Sequence, residues 1–573
     1  MTDSPPKQEK IRDFKALRQL ARFLKPYRGA FYLLILLTFL VGALAPLEPY
    51  LVQLTIDRHI AAGDYNGLVR MTILLCILLF TLGLVQYTQT YLGDWLGQRV
   101  IKDIRIELYA YILRLRTSFF NQTPIGRLVT RNISDTETLA DVFRDGIAAL
   151  MSELLQMLLM MVLMFYLNWR LALLSLAMVP AILIITYVFK EKIKHVFGAL
   201  RNAVSRLNSF VQERIIGMSI VQIFGREQHE LEQFKALNKA HRDAGMQSVQ
   251  YYSRYFPFIN LLNSVSISLL IWYGAKDVLR DTVSLGEIVA FLMYINLFFR
   301  PLHLIADRFN TLQMGLVSTE RMMKLLDNGE QVDNAGTYIP QQLQGDITFQ
   351  NVWFAYEDDH YVLKDVSFHL EAQKSLAIVG ATGAGKSTLI NLLDRFYDIQ
   401  KGAISIDGTN IKDYELQSFR RHVGLVLQDV FLFSGSIYEN ITLGAPNISR
   451  KQVVEAARLI GLHDFIAALP GGYDYNVMER GMTLSMGQRQ LLSFARMLVY
   501  DPAILILDEA TASLDTESER LIQKAMTTLM ENRTSILIAH RLATIQQADK
   551  ILVLNQGELQ EEGTHASLVA QGG

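Results

Sequence analysis

Ser375-Leu376-Ala377-Ile378-Val379-Gly380-Ala381-Thr382-Gly383-Ala384-Gly385-Lys386-Ser387-Thr388 is the stretch that decides the fold. Its first five residues read as a buried strand, the glycine-rich run as a loop, and Thr388 to Leu393 as a helix continuing from it. In such a loop the glycines let backbone N–H groups point inward around phosphates. The helix N-terminus adds a partial positive charge, Lys386 a full one, and Ser387 a hydroxyl for a magnesium ion.

Further along, Ala503 to Leu507 reads as a second buried strand and ends in Asp508-Glu509. Adjacent acids are ordinarily a solvated turn. At the carboxyl end of a strand beside a phosphate loop, the first can hold Mg²⁺, usually through water, and the second can polarise an attacking water. Asp508 is thus the expected metal residue and Glu509 the expected general base. Between loop and acids, Leu484-Ser485-Met486-Gly487-Gln488 is a Ser-x-Gly-Gln turn opening a helix, a second source of phosphate contacts. One nucleotide site in one chain does not need both sources, so the chain reads as half of a machine.

The 573 residues are too many for one compact core. Half are hydrophobic, 19% are charged and mean hydropathy is +0.20, a balance that fits a membrane protein fused to a soluble one. A formal net charge of -1 argues against a polyanion-binding surface over the whole chain, though not against local basic patches, and no nucleic-acid partner is expected. The lone Cys76, inside an apolar run, excludes an intrachain disulfide. Met1 to Arg28 is polar and basic and lacks a secretory cleavage site. Within it, Phe14 to Leu24 has the spacing of a helix lying on a membrane surface or of a solvated tail.

Apolar runs at Phe31–Leu54, Met71–Tyr91, Ile147–Leu167, Leu171–Phe189, Phe256–Tyr273 and Ile288–Leu304 are each close to the roughly 20 residues that cross a bilayer. Six spanning helices are expected. Basic residues crowd the N-terminal segment, Arg99 to Arg105 and Lys190 to Lys194, which places both termini in the cytoplasm. The inward connections Gly93–Asp145 and Lys190–Tyr255 keep helical periodicity, as in Ile101, Ile104, Leu108, Ile112 and Leu115. They are expected to extend the spans and to turn near Phe119 to Gly126 and at Gly217 and Gly225, setting a short crosswise segment against a cytoplasmic domain or forming ordinary loops. Glu48, Glu153, Arg300, His303 and Asp307 are costly in hydrocarbon, so they should face water or one another.

Together and in order, the motifs of the second half resemble the ATP-binding cassette of ABC transporters over Ile347 to Gly563. Tyr356 fits the aromatic that stacks on adenine, Gln428 the Q-loop, Leu484 to Gln488 the signature, Ser513-Leu514-Asp515 the D-loop and His540 the switch histidine. The resemblance implies ATP and Mg²⁺. Tyr356, Gly380, Ala381, Thr382, Gly383, Ala384, Gly385, Lys386, Ser387 and Thr388 would bind the nucleotide, with Ser485, Gly487 and Gln488 of a second chain closing over it. Ser387, Gln428 and Asp508 would hold the metal, and Glu509, His540 and Gln428 would serve catalysis.

The first half carries weaker echoes of exporters. Thr123 to Leu128 with Asp135, and Glu213 to Gly217 with Phe224, resemble segments that rest on the cassettes; Phe431 to Ile437 with Glu439 to Ile441 resembles the exporter Q-loop neighbourhood, and Glu479-Arg480-Gly481 its contact with those segments. The expected fold is an all-α polytopic membrane domain followed by an α/β P-loop NTPase cassette with a helical subdomain. Expected boundaries are 1–28 for a cytoplasmic elbow segment, 29–325 for the membrane domain, 326–344 for a linker and 345–573 for the cassette. Such a protein exports an amphipathic, drug-like or lipid-like compound across the cytoplasmic membrane, or flips it between leaflets. A non-transporting ATPase serving as a channel or regulator is the alternative.

Met486 stands where the family signature most often has Gly, while Lys386, Asp508, Glu509 and His540 are all present. That asymmetry resembles the catalytically complete subunit of heterodimeric exporters, so a different half-transporter is the favoured partner and a second copy the other one.

Overall fold

Inside a bilayer every backbone N–H and C=O needs a partner within the protein, and the apolar runs of the first half meet that demand as helices. The computed structural model describes residues 22–142, 148–280, 282–332, 334–357, 360–508, 516–538 and 542–572, with the side chains of 148, 303–307, 309–310, 516–518 and 543 outside the description. The chain forms two compact units: Met1–Leu113 with Ile125–Gly329, and Arg114–Pro124 with Glu330–Gly573.

Among the described residues of the first unit, six helices are long and apolar enough to cross a membrane: Arg22–Ile60, Tyr65–Ile112, Ala149–Leu167, Trp169–Ile216, Glu227–Val278 and Leu285–Leu302. The first is not one straight rod. It runs Arg28–Leu44, bends, and resumes as Leu47–Thr55, because Pro46 and Pro49 cannot donate to the helical ladder there. Tyr65–Ile112 and Glu227–Val278 hold 48 and 52 residues, which at 1.5 Å per residue is about 70 to 80 Å, more than twice the hydrocarbon thickness. The periodic Ile101, Ile104 and Leu108 are buried, as their spacing requires. Asn168 caps the helix Trp169–Leu176 through the N–H groups of Arg170 and Leu171, making the tight hairpin between the third and fourth spans. Phe14 to Ala21 of the amphipathic segment lie outside the described residues.

Leu36, Phe80 and Trp272 point away from the protein, which suits lipid contact. The interior is built around the sixth span, whose Phe291, Tyr294, Ile295 and Phe298 pack with Met160, Met164, Leu171, Ile259 and Leu270. The Tyr294 hydroxyl donates to the Pro46 carbonyl at 2.9 Å, satisfying an oxygen at the bend. Gly217 ends the helix Val179–Ile216, Met218–Ile223 forms a short helix, and Gly225 at φ +57° precedes the helix Glu227–Val278.

The second unit holds two sheets. In the antiparallel one the order is β2 (Tyr361–Leu370), β1 (Ile347–Ala355), β4 (Lys401–Ile406), β5 (Thr409–Asn410). In the other it is β10 (Glu558–Gly563), β9 (Lys550–Asn555), β3 (Ser375–Gly380), β8 (Thr534–Ile538), β7 (Ile504–Asp508), β6 (Val423–Val426). Strands β9, β3, β8, β7 and β6 are parallel and covered on both faces, hence the unbroken apolar runs in β3, β7 and β8. Helices Ile437–Thr442, Arg450–Leu459, His463–Ala468 and Met486–Tyr500 pack around a second core containing Leu432, Ile441, Val453 and Leu491. The short helix Thr117–Gln122, though encoded between spans, belongs to this unit.

One buried acid stands out. Asp394 follows the helix Lys386–Leu393, is 5% exposed, and has an oxygen without a hydrogen-bond partner. Burial pushes its carboxyl up to about 7, against the opposing pull of Arg420. A carboxyl raised in the folded state favours folding while protonated, so that contribution is lost as pH rises toward 7. Asp394→Asn, which stays neutral, is therefore expected to melt at a higher temperature relative to wild type at pH 8 than at pH 5.5, by a few degrees in thermal unfolding.

Candidate functional site

The parallel register places the sequence motifs in one row. Ile378 of β3 lies beside Ile538 of β8, Ile538 beside Asp508 of β7, and Leu507 beside Val426 of β6. The segments leaving these four strand ends must emerge along one edge of the sheet, in the crevice where α/β proteins bind ligands. The Gly380–Ser387 loop leaves β3, Asp508 ends β7, and Gln428 comes two residues after β6. His540, which comes after β8, and Glu509, next to Asp508 in the chain, lie outside the described residues, as do Ser513, Leu514 and Asp515.

Within the loop, Gly383 and Gly385 have φ of +84° and +102°, and a Cβ on Gly385 would stand 2.7 Å from Leu363 Cδ2. Both positions favour glycine by backbone conformation, and the second also by packing. Ala381, Thr382, Gly383 and Ser387 are exposed at the mouth, while Ala384, Lys386 and Thr388 are buried beneath it. The Lys386 ammonium is folded into the loop, donating to the carbonyls of Gly380 at 2.7 Å and Ala381 at 3.0 Å. A full positive charge thus sits within the loop, held on two of its carbonyl oxygens.

Tyr356 comes 24 residues before Gly380 in the chain, yet it stands at the loop. Its hydroxyl lies 3.2 Å from Thr388 Oγ1 and accepts from Asn391 Nδ2 at 3.3 Å. Phe354 and Tyr397 meet it edge to face at 4.8 and 5.0 Å, leaving one part of a ring that is 43% exposed open for stacking.

The Ser485 turn has a different local logic. Ser485 Oγ accepts from Gln488 N–H at 3.2 Å, and Ser485 N–H donates to Gln488 Oε1 at 2.8 Å, a reciprocal cap on the helix Met486–Tyr500. Gly487 is buried in the first turn. Among the described residues no hydrogen bond joins this turn to the Gly380–Thr388 loop. Met486 is half-buried and lines a groove of about 370 Å³ with Gln428, Phe431, Arg480 and Arg489.

In the membrane unit the expected grouping changes. Glu153 faces Arg308, with Nε to Oε1 at 3.6 Å, in a cavity of about 700 Å³ shared with Glu48, Asp94 and Arg300. Run-end polarity singled out Glu153 and Arg300 but not Arg308. Arg308 stands two helical turns after Arg300 on the same face, a spacing that was readable. The side chains of His303 and Asp307 lie outside the described residues. Tyr397, Asn391 and Asn121 were also missed. None belongs to a motif with an obvious chemical reason, and only the tertiary fold brings them to Tyr356.

Residues 31–302 match the model of the ABC transporter transmembrane region and residues 363–512 that of the ABC transporter cassette. The chain is 37% identical to the uncharacterised ABC transporter ATP-binding protein YknV of Bacillus subtilis, over 99% of this chain and 94% of that one. It is 35% identical to an ATP-dependent lipid A-core flippase of Syntrophus aciditrophicus, over 98% and 93% respectively. It is 34% identical to YgaD of Bacillus subtilis, named for multidrug export, over 96% and 97%.

Replacing Lys386 by Met keeps the stem and removes the ammonium. Loss of a charged hydrogen-bonding group is worth about 1.5–3 kcal/mol, so affinity for a fluorescent ATP analogue, measured by titration, is expected to fall roughly ten- to hundredfold.

Proposed function

The chain belongs to the ABC transporter family as an ATP-hydrolysing half-transporter of the exporter type, and we propose that it works in a dimer that moves an amphipathic, drug-like or lipid-like compound out through, or between the leaflets of, the cytoplasmic membrane. One observation carries the dimer. The chain has two sets of phosphate contacts, the Gly380–Thr388 loop and the Ser485–Gln488 turn, with no hydrogen bond between them among the described residues. Two cassettes face to face would let each loop meet the other chain's turn.

In that arrangement the base stacks on Tyr356, the Gly380–Ser387 loop and Lys386 hold the phosphates, and Ser485, Gly487 and Gln488 of the opposite chain close over them. The capping bonds of Ser485 and Gln488 keep that turn preformed. Ser387, Gln428 and Asp508 offer hydroxyl, amide and carboxylate oxygens, the donor chemistry of a hard divalent cation, and would hold Mg²⁺. A divalent cation held there would supply positive charge against the phosphates. Glu509 would direct water at the γ-phosphate and His540 would contact it, roles that rest on their place after β7 and β8.

The substrate class is supported by the cavity in the membrane unit. Glu48, Glu153, Arg300 and Arg308 share its lining with Leu34, Val41, Leu82 and Leu297, so a polar head and an apolar body both find partners. The basic inner ends of the spans support cytoplasmic termini. The Met218–Ile223 turn exposes Ile220 and Ile223 beside Ile216 and Phe224, a surface suited to the exposed Phe431 and Met482 of a partner's cassette.

A different half-transporter remains the preferred partner because Met486, at the start of the signature helix, stands where the family signature most often has Gly. If Met486 weakens the turn's service to the opposite nucleotide, Met486→Gly in a dimer of this chain alone should raise ATPase activity several-fold. Full activity of the purified wild-type homodimer would overturn the heterodimer preference. In proteoliposomes, ATP-dependent substrate movement should fall with Glu509→Gln by at least about a hundredfold while ATP binding persists, the usual size of a lost general base. Movement that survives this substitution would remove the catalytic assignment.

A further inference from the structure

Tyr397 connects two parts of the cassette unit that the chain encodes far apart. Its hydroxyl accepts from Asn121 Nδ2 at 2.9 Å, and its ring meets Tyr356 edge to face at 5.0 Å and 89°. The neighbouring Asp398 pairs with Arg116 at 3.1 Å. Arg116 and Asn121 stand at the two ends of the helix Thr117–Gln122, so this helix is fastened at both ends to two consecutive residues, 397 and 398.

The helix is also tied to the stretch after the last span. Arg116 N–H donates to the Glu330 carbonyl at 3.0 Å, Arg116 Nε to the Gln331 carbonyl at 2.9 Å, and Val332 N–H to the Arg114 carbonyl at 3.0 Å. On the other side of Tyr356, the contacts from Thr388 and Asn391 fix its hydroxyl on the phosphate-loop helix. Burial holds the Tyr397 phenol above its ordinary range, against the lowering effect of the Asn121 bond, so it is a neutral hydroxyl at physiological pH.

We propose that Tyr397 is a positioning residue: held by Asn121, it orients Tyr356 for base stacking and thereby makes the Arg114–Pro124 segment responsive to whether a base is bound. This rests on reading Tyr356 as the residue that stacks on adenine. Coupling of this kind is reciprocal: if base stacking steadies the Asn121–Tyr397 bond, that bond strengthens base stacking. Asn121, exposed and with its described contact on Tyr397, then affects nucleotide affinity only through the base.

The test uses the full-length protein in lipid nanodiscs, with Mg-ATP and Mg-tripolyphosphate as probes, the second carrying phosphates without a base. Asn121→Ala and Tyr397→Phe are each expected to weaken ATP about fivefold, the lower end of typical coupling, and to leave tripolyphosphate unchanged. Neither should have a further effect on ATP in a Tyr356→Ala background. Wild-type ATP affinity in both variants would overturn the proposal. So would equal loss of ATP and tripolyphosphate, which would mark a general packing role. If Tyr356→Ala itself leaves ATP affinity unchanged, the stacking assignment fails. If it weakens ATP while Asn121→Ala does not, the stacking stands and the role of Tyr397 falls.

Discussion

Parallel pairing of β3, β8, β7 and β6 is the constraint on which the nucleotide site depends. Hydrogen bonding fixes Ile378, Ile538 and Asp508 side by side, with Val426 one step away, so residues from four distant parts of the chain leave the sheet along one edge. Adjacent strands are about 4.8 Å apart, so these strand ends stand close together in one row. Everything chemical in the cassette is arranged relative to it. The loop after β3 takes its shape from positive-φ glycines, Lys386 folds back onto its carbonyls, and Tyr356 is brought over the loop by hydroxyl contacts with Thr388 and Asn391.

The Ser485 turn is built separately from that sheet edge. Ser485 and Gln488 satisfy each other at the start of their own helix, and that helix is positioned by a separate hydrophobic core around Leu432, Ile441 and Leu491. A preformed turn with exposed Ser485 has its cap without needing a ligand.

In the membrane unit the governing demand is satisfaction of polar groups. The backbone does this by helix formation, and the charged side chains by facing a shared cavity, where Glu153 meets Arg308. Helices of 48 and 52 residues extend far beyond hydrocarbon, and Gly217 and Gly225 stand at the turns before the second of them. The break after Ile112 releases Arg114–Pro124 into the cassette unit, where Arg116 and Asn121 are held by Asp398 and Tyr397.

Local sequence determined much of this: six spans from run length, the strand, loop and helix around Gly380 to Ser387 from glycine spacing, and the cap at Ser485 from a Gln three residues later. These features depend on interactions within a few residues, so composition and spacing are enough to read them. The Glu153–Arg308 pair and the Asn121–Tyr397–Tyr356 contacts depend on which surfaces meet after folding. Partners 41 to 276 residues apart leave no periodic trace in a single chain, and only close packing in three dimensions selects them.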